Sequence, residues 1–429
     1  MQIYLVGGAV RDRLLGIQGY DRDWVVVGST VQEMLDKGYS QVGHDFPVFL
    51  HPLTHEEYAL ARTERKNGHG YLGFNCDFNP EITLEEDLKR RDLTINAIAM
   101  DKDGYYIDPY NGIADLKNRV LRHVSLAFVE DPLRVLRVAR FAARFANLGF
   151  TIAKETLQLM REIARSGELS NLTPERVWLE LQKSLNTQDP QVFIHVLRKT
   201  DALKHVLPEV DKLYGVPGPK RWHPEIDSGV HTEMTLGRIS LETENPVIRF
   251  AMLCHDLGKA LTPVTEWPHH HKHNKLGVQP LQDMCTRLHV PNEYAEFAYI
   301  VVLYHSDMHH IYRNGPESIV NLLEKLDAFR KPERIKPWVM CCKCDFLGRK
   351  GFENRAFPRA DYFLGIFSLC CTVTAKEFVE KGFKGKQISE EIHKHRVRLV
   401  DDYLKIIPIS ERNDSANELP PAELYPQLY

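Results

Sequence analysis

No stretch of this 429-residue chain approaches the ~20 consecutive apolar residues that a membrane helix requires, although 43% of its residues are hydrophobic and 26% charged. This argues against a membrane span and for a globular protein with ample core material. The opening IYLVGGAV run is short, has no basic leader and passes straight into charge, which argues against a signal peptide. Eight cysteines are present without the spacing of a disulfide framework. Cys341 and Cys344 have CxxC spacing but no second pair to complete a zinc knuckle. They read as free thiols of a cytoplasmic protein. Neither sign of charge dominates, with 55 Lys and Arg against 58 Asp and Glu and a net charge of −3. Nucleic-acid binding is therefore not advertised, though it needs only one basic face. There is no internal repeat and no low-complexity tract.

The length implies roughly two to four domains. Up to about Met100 the pattern is mixed α/β, with short strands predicted at Ile3–Val6, Trp24–Val27 and Glu57–Thr63. Residues Arg65–Pro80 are rich in Gly and Asn and read as a loop. Leu84, Leu88, Ile95 and Ile98 recur at roughly helical spacing, and from Pro132 onward helical patterns dominate. The Gly215-Val-Pro-Gly-Pro219 break marks a domain boundary, and helix resumes near Tyr362. The last ~20 residues, with paired prolines, are expected to fray.

Chemistry gathers first at the N-terminus. Gly7-Gly8 lies between a strand and a helix, where small residues and helix N–H groups allow a triphosphate to approach. Asp21-Arg22-Asp23 opens the next strand. Alternate strand residues share a face, so Asp21 and Asp23 are expected to point the same way about 7 Å apart. Two such carboxylates repel unless cations sit between them, as two-metal nucleotidyl transfer requires. Glu64 is a candidate accessory carboxylate.

These features resemble the polymerase β-like nucleotidyltransferase superfamily. Lys89-Arg90-Arg91-Asp92-Leu-Thr-Ile-Asn96-Ala97 is similar to the RRDxxxNA motif of class II CCA-adding enzymes and bacterial poly(A) polymerases, and Glu130-Asp131-Pro132-Leu133-Arg134 to their EDxxR motif. Along nearly the whole chain the sequence resembles the bacterial CCA-adding enzymes that carry an HD domain.

The EDxxR residues can be read chemically as well. Asp131 suits a helix N-cap before Pro132, and Arg134, three residues on, can share its face. A carboxylate accepts and a guanidinium donates, which complements the amine and ring nitrogen shown by both cytosine and adenine. Uracil and guanine reverse both contacts, at a cost of ~1–3 kcal/mol per buried group. Arg137, Arg140 and Arg144 then fall within about 60° of one another around the helix, a stripe suited to phosphate. By resemblance, Gly8, Arg11, Arg91, Arg137 and Arg140 contact the incoming nucleotide and Asp92 touches its ribose.

Further along, His231, His255-Asp256 and His305 have the spacing of an HD phosphohydrolase, with Leu253-Cys-His255-Asp256-Leu-Gly-Lys259 its most specific part. Adjacent His and Asp can ligate one ion while Asp256 bridges to a second. The last ligand is open between His305, Asp307 and Asp345. The His269-His270-His271 and His273 cluster reads as a hydrated loop. The basic run from Lys384 to Arg398 is diluted by Glu390, Glu391, Asp401 and Asp402.

Together these readings give an α+β protein: a polymerase β-like head (1–137), an all-α neck (138–214), an HD-containing body (215–360) and a helical tail that binds tRNA (361–429). The resemblance implies Mg2+-dependent addition of CCA to tRNA from CTP and ATP, and by extension tandem CCACCA tagging of unstable tRNAs. It also implies 2′,3′-cyclic phosphodiesterase, 2′-nucleotidase and phosphatase activities, the last with Ni2+, in a cytoplasmic monomer or homodimer. The rival readings are a poly(A) polymerase, an A-only or CC-only enzyme, an HD hydrolase with a degenerate head, and a non-catalytic tRNA chaperone.

Overall fold

The computed structural model describes residues 1–18, 22–42, 48–66, 74–220 and 223–406, with side chains left out at 64–66 and 74–76. Asp21, the tip of the 65–80 stretch and the C-terminal residues expected to fray lie outside the described residues, as does the Glu64 side chain. The chain divides into two compact units, Met1–Val206 and Leu207–Tyr429.

The first unit is built on a seven-stranded sheet. β1 (Gln2–Val6), β2 (Asp23–Val27), β3 (Ser40–Val42), β4 (Val48–Leu50) and β5 (Glu57–Leu60) are joined by two short strands further along the chain. β6 (Thr63–Lys66) and β7 (Phe74–Asp77) form a separate antiparallel pair. β8 (Ala99–Met100) and β9 (Tyr106–Ile107) complete the order β3-β4-β5-β2-β1-β8-β9. Among the described strands of this sheet only β2 and β5 pair in parallel, with Asp23 in register with Glu57. The Trp-Val-Val-Val run of β2 is buried on both faces, as a central strand must be. Val25 packs with Val6, Leu88 and Ala99. Val26, on the other face, packs with Met34, Phe49 and Leu60. α1 (Gly8–Leu14) follows β1 directly, and α2 (Val31–Asp36), capped by Thr30, carries Met34 into the core.

Three expectations for this region change. The predicted strand Glu57–Thr63 breaks after Leu60, because Arg62 N turns to donate to the buried Asp87 carboxylate at 3.2 Å. Much of the predicted 65–80 loop belongs to the β6–β7 pair. α3 (Leu84–Lys89), started by a Thr83/Glu86 capping box, stops before Ile95 and Ile98. Those two are buried by a 3-10 turn at Thr94–Asn96 and the extended chain after it.

α4 (Gly112–Asn118) lies against that turn. A Cβ on Gly112 would stand 2.2 Å from Thr94 O and 2.7 Å from Ile98 Cγ1. Gly112→Ala is therefore expected to destabilise the first unit by about 3 kcal/mol, the upper range of overpacking. Calorimetry should show a lowered Tm; an unchanged one would contradict this close approach.

α5 (Leu133–Phe145) runs unbroken across residue 137, the expected head–neck boundary. α6 (Lys154–Ser166), α7 (Pro174–Leu185) and α8 (Gln191–Lys199) follow, with a short helix Leu203–Val206 at the end of the unit. The compact units divide at Val206/Leu207, ahead of the predicted break at 215–219.

Among its described residues the second unit is helical. Helices Ser228–Ser240, Pro246–Cys254, Asn292–Tyr304 and Ile335–Leu347 pack together, burying Ile239, Phe250, Ala298 and Trp338. Cys341, Cys342 and Cys344 are buried free thiols, and burial pushes each upward in pKa. The Arg359–Glu380 stretch is apolar and long enough to suit a membrane, with mean hydropathy 1.4. It is not one helix, however: Arg359–Cys371 and Ala375–Glu380 are separate. At 1.5 Å per residue the longer piece covers about 20 Å, short of a ~30 Å hydrocarbon layer.

Candidate nucleotide and metal sites

A cavity of about 590 Å3 opens in the first unit between the β1–α1 turn, the 90–96 segment and α5. Gly7 makes the turn with φ 67°, and a Cβ there would meet Arg91 Nη1 at 3.0 Å. Glycine thus serves both the backbone conformation and the approach of Arg91.

The arginines foreseen for phosphate all line this cavity; Arg11, Arg137, Arg140 and Arg144 are held by partners from another part of the unit and Arg91 by a carboxylate one turn before it. Arg11 donates to Asp12 Oδ1 at 2.7 Å and Asn96 Oδ1 at 2.6 Å. Arg137 donates to Asp92 Oδ2 at 2.7 Å, Arg140 to Glu180 Oε2 at 2.6 Å and Arg144 to Asp12 Oδ2 at 2.8 Å. Arg91 pairs with Asp87 at 3.2 Å. Phe141 and Phe145 add aromatic faces: Arg140 lies 4.4 Å from the Phe141 centroid and Arg11 lies 5.2 Å from both. Guanidinium groups fixed in this way meet an anion with little further ordering.

Asp92 is engaged on both oxygens, accepting from Leu93 N and Asn96 Nδ2 on one and Arg137 on the other. Burial alone would raise its carboxyl. Arg137 and the hydrogen bonds from Asn96 and Arg137 outweigh that and hold it well below the usual carboxylate range. Asp92→Asn should therefore cost about 3 kcal/mol at neutral pH, as breaking a buried ion pair does. A depressed carboxyl contributes stability above its unfolded pKa and loses it as pH falls through the folded value. The gap between variant and parent should persist down to about pH 4 and narrow below it. A pH-independent gap in denaturant titrations would contradict the ion pair.

Asp131 caps α5 by accepting from Leu133 N at 3.0 Å, and its other oxygen takes Arg176 at 2.7 Å. Arg134 is buried, donating to Ala127 O at 2.5 Å and Arg90 O at 2.6 Å. Both line the cavity, as do Gly8 and Asp23. Asp23 is exposed at the first position of β2, beside Glu57 on the neighbouring parallel strand. Acceptor-only groups set side by side at a cavity wall fit a divalent cation. Arg176, Glu57 and Phe141 went unnoticed in the sequence. Only strand pairing and helix packing bring them here, and no local motif marks them.

The second unit holds a cavity of about 440 Å3, lined by Asp256, Lys259, His273, His305, Arg313 and Asp345 among others. Behind it, His231 Nε2 lies 2.9 Å from Asp345 Oδ1, and His255 Nε2 lies 3.2 Å from Asp256 Oδ2 and 3.7 Å from Asp345 Oδ1. His231, His255 and Asp345 form one group of metal-ligating atoms, and Asp256, His273 and His305 form another. Of the three residues left open as the last ligand, His305 and Asp345 lie in different groups. Asp307 belongs to neither.

Asp256 Oδ2 pairs with Lys259 Nζ at 2.6 Å, while Asp256 Oδ1 and the Nε2 atoms of His255 and His273 are buried without a hydrogen-bond partner. Buried polar atoms of this kind fit a cation they would jointly bind. Burial would lower His255, but Asp256 and Asp345 raise it to about 10, so this place favours positive charge. The hydrated-loop reading holds for exposed His269 and His271 only. His270 is buried against Thr262 and Pro217 O, and His273 faces Asp256.

In the tail, the helix Lys386–Ile406 turns part of its basic run inward. Arg396 lies 3.4 Å from the Phe329 ring centroid and His393 pairs with Glu317 and Glu324, while Lys384, Lys394 and Arg398 are exposed.

Residues 3–122 match the "Poly A polymerase head domain", residues 149–214 the "Probable RNA and SrmB- binding site of polymerase A" and residues 230–336 the "HD domain". Among solved structures, an apo CCA-adding enzyme is 22% identical, with TM-score 0.63 over 95% of this chain and 92% of that one. The Thermotoga maritima CCA-adding enzyme, solved with tRNA, is 21% identical, with TM-score 0.61 over 100% and 92%. The Bacillus stearothermophilus CCA-adding enzyme, solved with CTP, is 25% identical, with TM-score 0.60 over 94% and 89%. The chain thus carries a poly(A) polymerase head domain, an RNA-binding segment and an HD domain in this order, on a fold shared with solved CCA-adding enzymes along nearly its whole length.

Proposed function

We propose that this protein adds C, C and A to tRNA 3′ ends without a nucleic-acid template, taking CTP and ATP, in the cytoplasm. The observation that carries this reading is the cavity in which Asp131 and Arg134 stand beside the anchored arginines, base readers next to phosphate binders. Mg2+ held by Asp21 and Asp23 would lower the cost of deprotonating the primer hydroxyl and of charge on the leaving pyrophosphate. Arg91, Arg137 and Arg140 hold the triphosphate, Gly8 and Arg11 wall its far side, and Asp92 keeps Arg137 aimed while approaching the ribose. Asp131 accepts the exocyclic amine of cytosine or adenine and Arg134 donates to the ring nitrogen. Because Arg176 occupies one Asp131 oxygen, the incoming base must share or displace that contact.

The second unit is read as a phosphohydrolase for 2′,3′-cyclic phosphates, 2′-nucleotides and phosphomonoesters. Its imidazole-rich ligands suit Ni2+ or another transition metal. Lys384, Lys394 and Arg398 offer phosphate contacts to tRNA. Tandem CCACCA tagging would use the same head chemistry on unstable tRNA.

Incubation of the purified protein with tRNA lacking CCA and each labelled nucleotide tests the reading. Two C and one A per tRNA are expected. Long A tracts, or incorporation that stops at C-C, would replace it by one of the rival activities.

A further inference from the structure

We propose that Phe141 and Phe145, two stacked rings on α5, are positioning residues for triphosphate binding, holding the phosphate-binding arginines in place without cancelling their charge. This deepens the nucleotide reading of the first cavity and rests on it.

At 100° per residue, Phe141 and Phe145 fall about 40° and 80° around the helix from Arg137, beside the arginine stripe and one turn apart. Their ring planes differ by 7°, with centroids 6.1 Å apart. Four guanidinium groups meet this pair. Arg11, from α1, lies 5.2 Å from both centroids. Arg140 lies 4.4 Å and Arg137 5.8 Å from the centroid of Phe141, and Arg144 lies 5.3 Å from that of Phe145. All fall within the ~6 Å over which a ring face attracts a cation.

Cations gathered this closely repel one another, and carboxylates offset the repulsion only in part. Asp12 serves Arg11 and Arg144 together, at 2.7 and 2.8 Å. Burial lowers the pKa of Arg11; Asp12 opposes this and Arg144 adds to it. A further carboxylate would brace these groups but would cancel the charge that a triphosphate must find. A ring face attracts a guanidinium through its quadrupole and carries no net charge. The stack therefore fixes the cations and leaves their field on the cavity undiminished.

Position argues the same way. Phe141 lines the cavity and is 4% exposed, whereas Phe145 is 1% exposed and does not line it. Arg134 precedes Phe141 by about two turns, ~10 Å along the helix axis. The rings thus serve the phosphate end of the cavity, away from the base-reading pair Asp131 and Arg134.

Plain core packing would ask only for apolar volume, and fluorination separates the two roles. In the full-length chain, position 141 takes mono-, tri- and pentafluorophenylalanine in turn, which keep the ring shape while weakening and then reversing its quadrupole. Binding of CTP with Mg2+, and of inorganic tripolyphosphate, is measured by calorimetry. Both affinities are expected to fall stepwise, by about 10-fold across the series. Phe141→Leu should bind as weakly as the most fluorinated variant. The same series at position 145 should act in the same direction, and it carries the test if a variant at 141 fails to fold by thermal melting. Affinities unchanged across both series would overturn the positioning role and leave the nucleotide reading standing. A fall for CTP alone would also overturn it, by setting the ring against the base. A parent chain that binds neither ligand would overturn both.

Discussion

Asp23→Ala is expected to lower CMP and AMP incorporation into tRNA by about 10³-fold or more, while hydrolytic ring opening of a 2′,3′-cyclic nucleotide to its monoester continues at the parent rate. His255→Ala should do the reverse. The magnitude follows from losing several kcal/mol of cation-mediated charge stabilisation at about 1.4 kcal/mol per tenfold in rate. Independence follows from the fold. Asp23 opens a strand of the first compact unit, whereas His255 ends the Pro246–Cys254 helix of the second, each with its own core. The Asp23 carboxylate is exposed at the cavity wall, so its removal leaves the Val25 and Val26 packing untouched. A drop in both activities in either variant would mean that the two centres are not separate. Paired assays on one preparation decide this.

The second large effect concerns choice of base. Asp131→Asn replaces an acceptor-only group with an amide that can also donate, and Arg134→Ala removes the donor. Each change relieves or deletes a contact that uracil and guanine oppose. At ~1–3 kcal/mol per buried contact, the double variant should lose about 10²- to 10⁴-fold of its preference for CTP and ATP over UTP and GTP. The structure adds that these side chains are braced. Arg134 is fixed by two carbonyl oxygens, and Asp131 by the α5 N-terminus and Arg176. Rigidity of this kind allows a protein surface to substitute for a template base, since a loose side chain would turn to satisfy the wrong one. Competition between labelled CTP and UTP measures the ratio; an unchanged ratio would place base selection elsewhere.

Local motifs carried much of this site because they are contiguous. Gly7-Gly8, the arginines of α5 and the HDLGK string each sit on one short stretch of chain, where spacing alone fixes a shared face. Other partners had no such signal. Glu57 reaches Asp23 by parallel pairing, Arg176 reaches Asp131 across 45 residues, and Glu180 reaches Arg140 across 40. The helical spacing from Leu84 to Ile98 misled for a related reason. Apolar residues at that period can equally be buried by a short helix, a 3-10 turn and an extended segment once α4 packs against them. Among the histidines, composition could not separate exposed His269 and His271 from His273, because all lie in one polar segment and only packing selects among them.

From the sequence alone came the class of protein: a mixed α/β head followed by helices, with two clusters of acidic, basic and imidazole groups whose short-range spacing is dictated by backbone geometry. The tertiary structure alone decided which distant side chains complete each cluster. It gave the anchoring carboxylates their arginines and gathered the imidazoles around Asp256. The reason is that ligand and ion-pair geometry is set within a few tenths of an ångström by packing between elements far apart in the chain, and no periodicity along the chain encodes that distance.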